Sequence, residues 1–113
     1  MIALEMKLPG VVVMAINLES KACDVLKLYP IKRAAFFGSA ARGEITDNSD
    51  IDMLVEFLPE TRGILFFGLH ADLEEAFSCH VDLITFDALY TEAKRNFKEN
   101  VLRDARVIYE REN

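Results

Sequence analysis

Cysteines and basic residues are both scarce in this 113-residue sequence, and each shortage argues against a class of protein. The two cysteines, Cys23 and Cys79, are too few and too far apart for a disulfide framework, and they lack zinc-type spacing. We therefore expect a reduced, cytoplasmic setting. Only 13 Lys and Arg stand against 19 Asp and Glu, which gives a net charge of -6. That balance argues against stable binding of duplex nucleic acid through phosphate neutralisation.

Long hydrophobic runs are missing as well. The uninterrupted apolar run near the N-terminus, residues 11–16, is far shorter than the roughly 20 residues that a membrane span needs. No basic segment precedes it, so neither membrane insertion nor a secretory signal is expected. The length suits one domain, which we place at residues 17–113, with residues 1–16 as an N-terminal extension and Met14 as an alternative start.

Apolar periodicity and turn residues predict a short series of helices and strands. Two consecutive strands have no crossover helix between them, which implies a mixed sheet. The predicted fold is therefore α+β, with a small mixed β-sheet backed by helices. The predicted elements are a helix over 18–29 that ends at Pro30, a strand over 34–37, a helical turn over 40–44, a polar turn at 47–49, a strand over 51–58, a helix over 64–77, a strand over 81–86, a last helix with an apolar stripe from Ala93 to Leu102 and a cap at Asp87 or Thr91, and a strand over 106–110.

A strand that ends in Gly38-Ser39 and turns directly into a helical segment is a candidate phosphate site. Free N–H groups at a helix start attract phosphate oxygens, and glycine leaves room for them. The Ser39 hydroxyl can bond to the same phosphate. Such a turn is a weak signal alone, because many strand-Gly-Ser turns bind nothing.

Paired carboxylates follow on the next strand. Asp50 and Asp52 are two residues apart, so their side chains project to the same side. Two adjacent carboxylates repel each other unless a cation lies between them, and Mg²⁺ prefers such hard oxygen ligands. If the strands pair as expected, Asp82 near the start of the next strand completes a three-carboxylate site. Two metal ions about 3.5–4 Å apart can then clamp an in-line displacement.

Gly38-Ser39, ten intervening residues and then Asp-x-Asp at 50–52 resemble the signature of the minimal nucleotidyltransferases of the polymerase-β-like superfamily. The Ala-Arg-Gly at 41–43 and the Val-Asp-Leu at 81–83 also resemble that family. The resemblance covers about residues 17–110. It implies the polymerase-β-like nucleotidyltransferase fold, Mg²⁺, most simply as two ions, and ATP or another NTP as substrate.

The same resemblance implies a role for each matching residue. Gly38 and Ser39 would hold the β- and γ-phosphates, and Asp50 and Asp52 would bind the metal ions. Asp82 would bind the second metal ion and help to deprotonate the attacking hydroxyl. Arg42 occupies the family's arginine position, where a phosphate or a partner contact is expected.

Larger relatives carry a helical substrate domain after the catalytic one, so we expect another polypeptide to supply the acceptor here. In families of this kind the partner is often a HEPN-domain toxin, and the small protein is an antitoxin that adenylylates it. The alternative is a non-catalytic, nucleotide-binding antitoxin that inhibits its partner by occlusion. Both a homo-oligomer and a hetero-oligomer stay open.

Two histidines have plainer explanations. Cys79-His80 stands before Val81-Asp82, which suggests zinc, but no second Cys/His pair exists and a turn before a strand explains both residues. His70 is interpreted as a surface or partly buried helix residue rather than a base. Neither histidine is therefore included among the predicted site residues.

Overall fold

The computed structural model describes residues 10–46 and 49–112, with side chains from residue 18 onward. Nine elements follow one another along this part of the chain. They are α1 (Gly10–Leu26), β1 (Ile31–Phe37), α2 (Gly38–Arg42), β2 (Ile51–Phe57), α3 (Ile64–Phe77), β3 (Val81–Thr85), α4 (Phe86–Thr91), α5 (Arg95–Asp104) and β4 (Arg106–Glu110).

The four strands form one mixed sheet in the order β3-β2-β1-β4. Strand β1 pairs antiparallel with β2 and with β4, whereas β2 and β3 run parallel. The parallel pair is joined through α3, as a parallel connection requires a crossover. The predicted α+β fold with a small mixed sheet is confirmed. Because β1 runs antiparallel to β2 and β2 runs parallel to β3, the end of β1 and the starts of β2 and β3 meet at one end of the sheet.

Helices cover both faces of the sheet, because the central strands alternate their buried side chains between two cores. One core joins Ile51, Met53 and Val55 of β2 to α1 and α3. The second core joins Leu54 of the same strand to α4 and α5. Side chains thus alternate between the two faces along β2, and Asp52 falls on the face that carries Leu54.

Most predicted elements lie close to their observed positions. The helix predicted over 64–77 is α3, and the terminal strand over 106–110 is β4. Helix α1 begins at Gly10, within the predicted N-terminal extension, and the boundary at residue 17 stays a prediction.

Of the predicted polar turn at 47–49, residues 47 and 48 lie outside the described residues. Ser49 closes the loop, because its Oγ accepts a hydrogen bond from Thr46 N at 3.0 Å.

The prediction for the end of the chain was wrong in one respect. A separate helix, α4, begins directly after β3, and Thr85 Oγ1 caps it by accepting from Ala88 N at 3.0 Å. Asp87 and Thr91 therefore lie within α4 and do not cap the last helix. Lys94 is the N-cap of α5 and makes no side-chain capping bond.

Within the described residues, no helix combines the length and the apolar character needed to cross a membrane.

Packing of α3 against the sheet can be tested at Leu69, whose side chain is fully buried. We expect Leu69→Ala to lower the free energy of unfolding by about 2–5 kcal/mol, because it leaves a cavity in the core. Leu28 is 75% exposed, so Leu28→Ala is the matched control and should change stability by less than about 0.5 kcal/mol. Urea denaturation measures both values. Equal losses in the two variants would contradict the packing described here.

Candidate active site

The turn from β1 into α2 brings the backbone against a carboxylate. Gly38 has a φ of 62°, in the left-handed region that favours glycine, and Phe37 before it is extended. A Cβ on Gly38 would lie well inside contact distance of Asp52 Oδ2. Glycine is therefore required here both by backbone conformation and by space. Gly43 ends α2 with a φ of 70°, which is also in the left-handed region.

Register between the two parallel strands places the carboxylates side by side. Asp52 of β2 is the direct neighbour of Asp82 of β3, and Asp50 immediately precedes β2. The backbone bond from Ile51 N to His80 O, 3.1 Å long, ties the starts of these strands together. The register therefore brings Asp50, Asp52 and Asp82 to the same end of the sheet, and their role as metal ligands stays a prediction.

Ligand atoms of Asp50, His80 and Asp82 all lie within 4.8 Å of one another, and all three side chains are exposed. Asp52 is half-buried beside them and lies against Gly38. Hard carboxylate oxygens at this spacing fit a divalent cation such as Mg²⁺, which binds through one or two carboxylates together with substrate phosphates. The residues present thus suit a metal-assisted phosphoryl transfer.

Asp52 is harder to ionise than an ordinary aspartate. The pKa of Asp52 is raised to about 6, first by burial and then by hydrogen bonding to Asp82, by the charge of Asp82 and by that of Asp50. The positive charge of Arg42 acts in the opposite direction. Crowded carboxylates of this kind become fully ionised most easily when a positive charge enters the cluster.

Arg42 lies near this cluster, but it is engaged by two acidic side chains. Its Nε donates to Glu44 Oε1 at 2.8 Å, and its Nη1 donates to Asp104 Oδ2 at 2.6 Å. These bonds, that to Glu44 first, raise the pKa of the Arg42 guanidinium. In this arrangement Arg42 links α2 to the end of α5. Its expected contact with a phosphate or a partner stays a prediction, and such a contact requires it to exchange at least one of these partners.

His80 is the site residue that sequence reasoning missed. Its Nε2 lies 3.0 Å from Asp82 Oδ1, and its Nδ1 lies 3.0 Å from Glu74 Oε2. The hydrogen bond to Asp82 is the main cause of the raised pKa of His80. The available signal was its position two residues before Asp82, which places both side chains on one side of a strand. His70, by contrast, is partly buried and bonds Val81 O at 2.8 Å, in agreement with its interpretation.

An open cleft of about 210 Å³ adjoins the carboxylates on the α5 side of the sheet. Phe37 and Phe97 stand edge to face in its wall, with ring centroids 6.4 Å apart. Gly38 and Asp52 form the end of the cleft nearest the carboxylates. A flat, partly apolar group can therefore bind next to the candidate phosphate turn.

Comparison with known proteins identifies the family to which the chain belongs. The family model described as polymerase beta, nucleotidyltransferase matches residues 20–113. The chain belongs to this nucleotidyltransferase family. The predicted resemblance to minimal nucleotidyltransferases of the polymerase-β-like superfamily is confirmed, and so is the predicted enzyme class.

Individual relatives agree with this family. A Methanocaldococcus jannaschii protein with the provisional name protein adenylyltransferase is 36% identical over 90 residues, which cover 79% of this chain and 91% of the relative. Protein adenylyltransferase MntA of Thermococcus cleftensis is 32% identical over 86 residues, covering 76% of this chain and 81% of that protein.

A solved structure shares the fold. It contains a tri-AMPylated Shewanella oneidensis HEPN toxin in complex with MNT antitoxin. The TM-score is 0.61 with 19% identity, and the match covers 86% of this chain and 73% of the other. At that identity the likeness concerns the fold alone. A nucleotidyltransferase of this fold takes an NTP as substrate and typically a divalent metal ion.

Stability should depend on pH through Asp52. Its pKa in the folded protein, about 6, lies above the ordinary value of 3.8, so the fold binds this proton more tightly than the unfolded chain does. The stabilisation is present below about pH 4 and is lost as the pH rises to about 6. In metal-free protein, Asp52→Asn should therefore lose less stability than wild type between pH 4 and pH 7. Urea denaturation in a chelating buffer measures the difference, and an identical pH dependence would contradict it.

Gly38 and Gly43 allow a matched test of the turn. Alanine at either positive-φ position should cost about 1–2 kcal/mol of stability. Only Gly38→Ala also displaces the Asp52 carboxylate, because nothing lies within 4 Å of a Cβ at Gly43. Nucleotidyl transfer from an α-labelled NTP should fall about 10²-fold in Gly38→Ala and stay within a few-fold of wild type in Gly43→Ala. Similar activities in the two variants would contradict the proposed role of Gly38.

Proposed function

We propose that this nucleotidyltransferase transfers AMP from ATP to a hydroxyl group of a HEPN-type toxin and thereby acts as its antitoxin. The single observation that carries the proposal is the meeting of Asp50, Asp52 and Asp82 beside the Gly38 turn, in a chain whose relatives are named protein adenylyltransferases. The fold shared with an MNT antitoxin bound to an AMPylated HEPN toxin supports the choice of acceptor. We place the reaction in the cytoplasm.

Asp50, Asp52 and Asp82 are the proposed ligands of the metal, with Mg²⁺, as two ions, the proposed cofactor. When bound, the ions supply positive charge that offsets the charge developing on the transferred phosphoryl group. The three side chains set where that charge is held, since β2 and β3 fix their spacing through backbone pairing. Proteins catalyse phosphoryl transfer mainly by positioning the reacting groups and by neutralising their charge.

Gly38 and Ser39 form the proposed binding site of the β- and γ-phosphates. The absence of a side chain at Gly38 lets phosphate oxygens approach the start of α2, where backbone N–H groups lack intrahelical partners. The cleft between Phe37 and Phe97 lies where the nucleoside can bind. Arg42 can add a phosphate contact if it leaves Glu44 or Asp104.

The acceptor enters from the open side of the cluster. Asp50 and Asp82 are exposed, so a hydroxyl group of another protein can approach them. The hydroxyl oxygen attacks the α-phosphorus, the bond to the bridging oxygen breaks and pyrophosphate leaves. Asp82 accepts the proton of the attacking hydroxyl, directly or through water. The oxygen of the acceptor thereby becomes linked to AMP.

Substitution of the carboxylates tests this assignment. Asp50→Asn and Asp52→Asn should each lower the rate of transfer at least 10²–10³-fold, the scale of removing one electrostatic contact from a transition state. Asp24→Asn is the control, because Asp24 is exposed on α1 and, among the described residues, forms an ion pair only with nearby Lys27, at 3.4 Å. Purified protein, Mg²⁺, α-labelled ATP and the co-purifying partner form the assay. Near wild-type turnover in either site variant would contradict the metal assignment.

The same assay separates catalysis from occlusion. Label on the partner that disappears in Asp50→Ala/Asp52→Ala supports the transferase. A complex that still forms and still neutralises the toxin, with no label from any of the four NTPs, would instead support a nucleotide-binding antitoxin that blocks its partner physically.

A further inference from the structure

His80 belongs to the cluster of possible metal ligands, although no role in the proposed reaction requires a histidine there. Its nearest ring nitrogen lies within 4.8 Å of ligand oxygens of both Asp50 and Asp82. The ring is held between two acidic side chains, Asp82 on one side and Glu74 on the other. Such a placement needs an explanation beyond a turn before a strand.

Glu74 determines which ring nitrogen of His80 is directed at the cluster. Its Oε2 accepts the backbone N–H of Val81 at 3.0 Å and lies 3.0 Å from His80 Nδ1. A carboxylate only accepts, so Nδ1 donates its proton to Glu74. Nε2 is thereby the nitrogen directed at Asp82. The second ring nitrogen of a metal-binding histidine almost always donates to a carboxylate, a backbone carbonyl or water, and Glu74 supplies such an acceptor here.

The distances within the cluster suit a shared ion. His80 Nε2 and Asp82 Oδ1 are 3.0 Å apart. Adjacent ligands of an octahedral ion with bonds of about 2.1 Å are separated by about 3.0 Å, and opposite ligands by about 4.2 Å. The ligand atoms of Asp50, His80 and Asp82 all lie within 4.8 Å of one another. Their largest separation therefore exceeds that of opposite octahedral ligands by at most about 0.6 Å. Binding of a cation would release the Nε2 proton that is shared with Asp82 Oδ1, and both atoms would then be free to bind the ion.

We propose that His80 is a nitrogen ligand of the metal ion at Asp50 and Asp82, held in place by Glu74. An imidazole ligand favours divalent transition ions over Mg²⁺, which prefers oxygen. The site would therefore take an ion such as Mn²⁺ in preference to Mg²⁺. The inference rests on the metal site of the proposed function and specifies the chemistry of that site.

Mn²⁺ and pulsed electron paramagnetic resonance provide the test, with nucleotide-free protein so that no base nitrogen interferes. Wild-type protein should show nitrogen coupling to bound Mn²⁺, and the coupling should change to the ¹⁵N pattern when only histidine is ¹⁵N-labelled. The chain has two histidines, which gives a matched pair of variants. His80→Gln should lose the coupling and lower the Mn²⁺/Mg²⁺ affinity ratio at least about tenfold, whereas His70→Gln should retain both.

Three results would overturn the inference: no binding of Mn²⁺ by the wild-type protein, Mn²⁺ bound with oxygen ligands only, or coupling that survives His80→Gln. The labelled wild-type sample decides the matter even if a variant folds poorly. Oxygen-only coordination would leave the proposed transferase intact, because three carboxylates can hold Mg²⁺ without the histidine. Conversely, nitrogen coupling in a protein that transfers no label from ATP to its partner would support His80 as a metal ligand and contradict the proposed function.

Discussion

Three carboxylates crowd one end of the sheet, and their mutual repulsion is the constraint on which the site depends. Asp52 and Asp82 are direct neighbours on parallel strands, and Asp50 immediately precedes the first of them. Repulsion of this kind opposes full ionisation, and burial, the main cause of the raised pKa of Asp52, adds to that electrostatic cost. A cation relieves it. We therefore propose that the cluster binds positive charge and, through that charge, the phosphates of a nucleotide.

The sheet supplies the rigidity that holds like charges together. Met53, Leu54 and Val55 follow Asp52 on β2 and are fully buried, alternately in the two cores. Strand β2 is paired on both sides, so its backbone cannot move away from β3 without breaking either hydrogen bonds or packing. Hydrophobic burial on both faces thus stabilises an arrangement that electrostatics alone would not produce. The Gly38 turn adds the close approach of a second backbone segment to the same carboxylate.

Sequence patterns predicted the parts that local chemistry determines. Periodicity located α3 and the strands, and the Gly-Ser and Asp-x-Asp spacing located the carboxylates and the turn. The patterns missed α4, because its capping residue, Thr85, also ends a strand and reads as part of it. They missed His80 because its role comes from Glu74 on a different element, which only the tertiary structure brings within 3.0 Å. Likewise, the ion pairs of Arg42 with Glu44 and with Asp104, 62 residues away, are not visible in a motif.

The most direct test of the central claim is a crystal structure with Mn²⁺ and a non-hydrolysable ATP analogue, in which anomalous scattering locates the metal. We expect anomalous density among Asp50, Asp52 and Asp82, with the triphosphate against Gly38 and Ser39. Ordered nucleotide with its metal and phosphates bound elsewhere on the protein would contradict it.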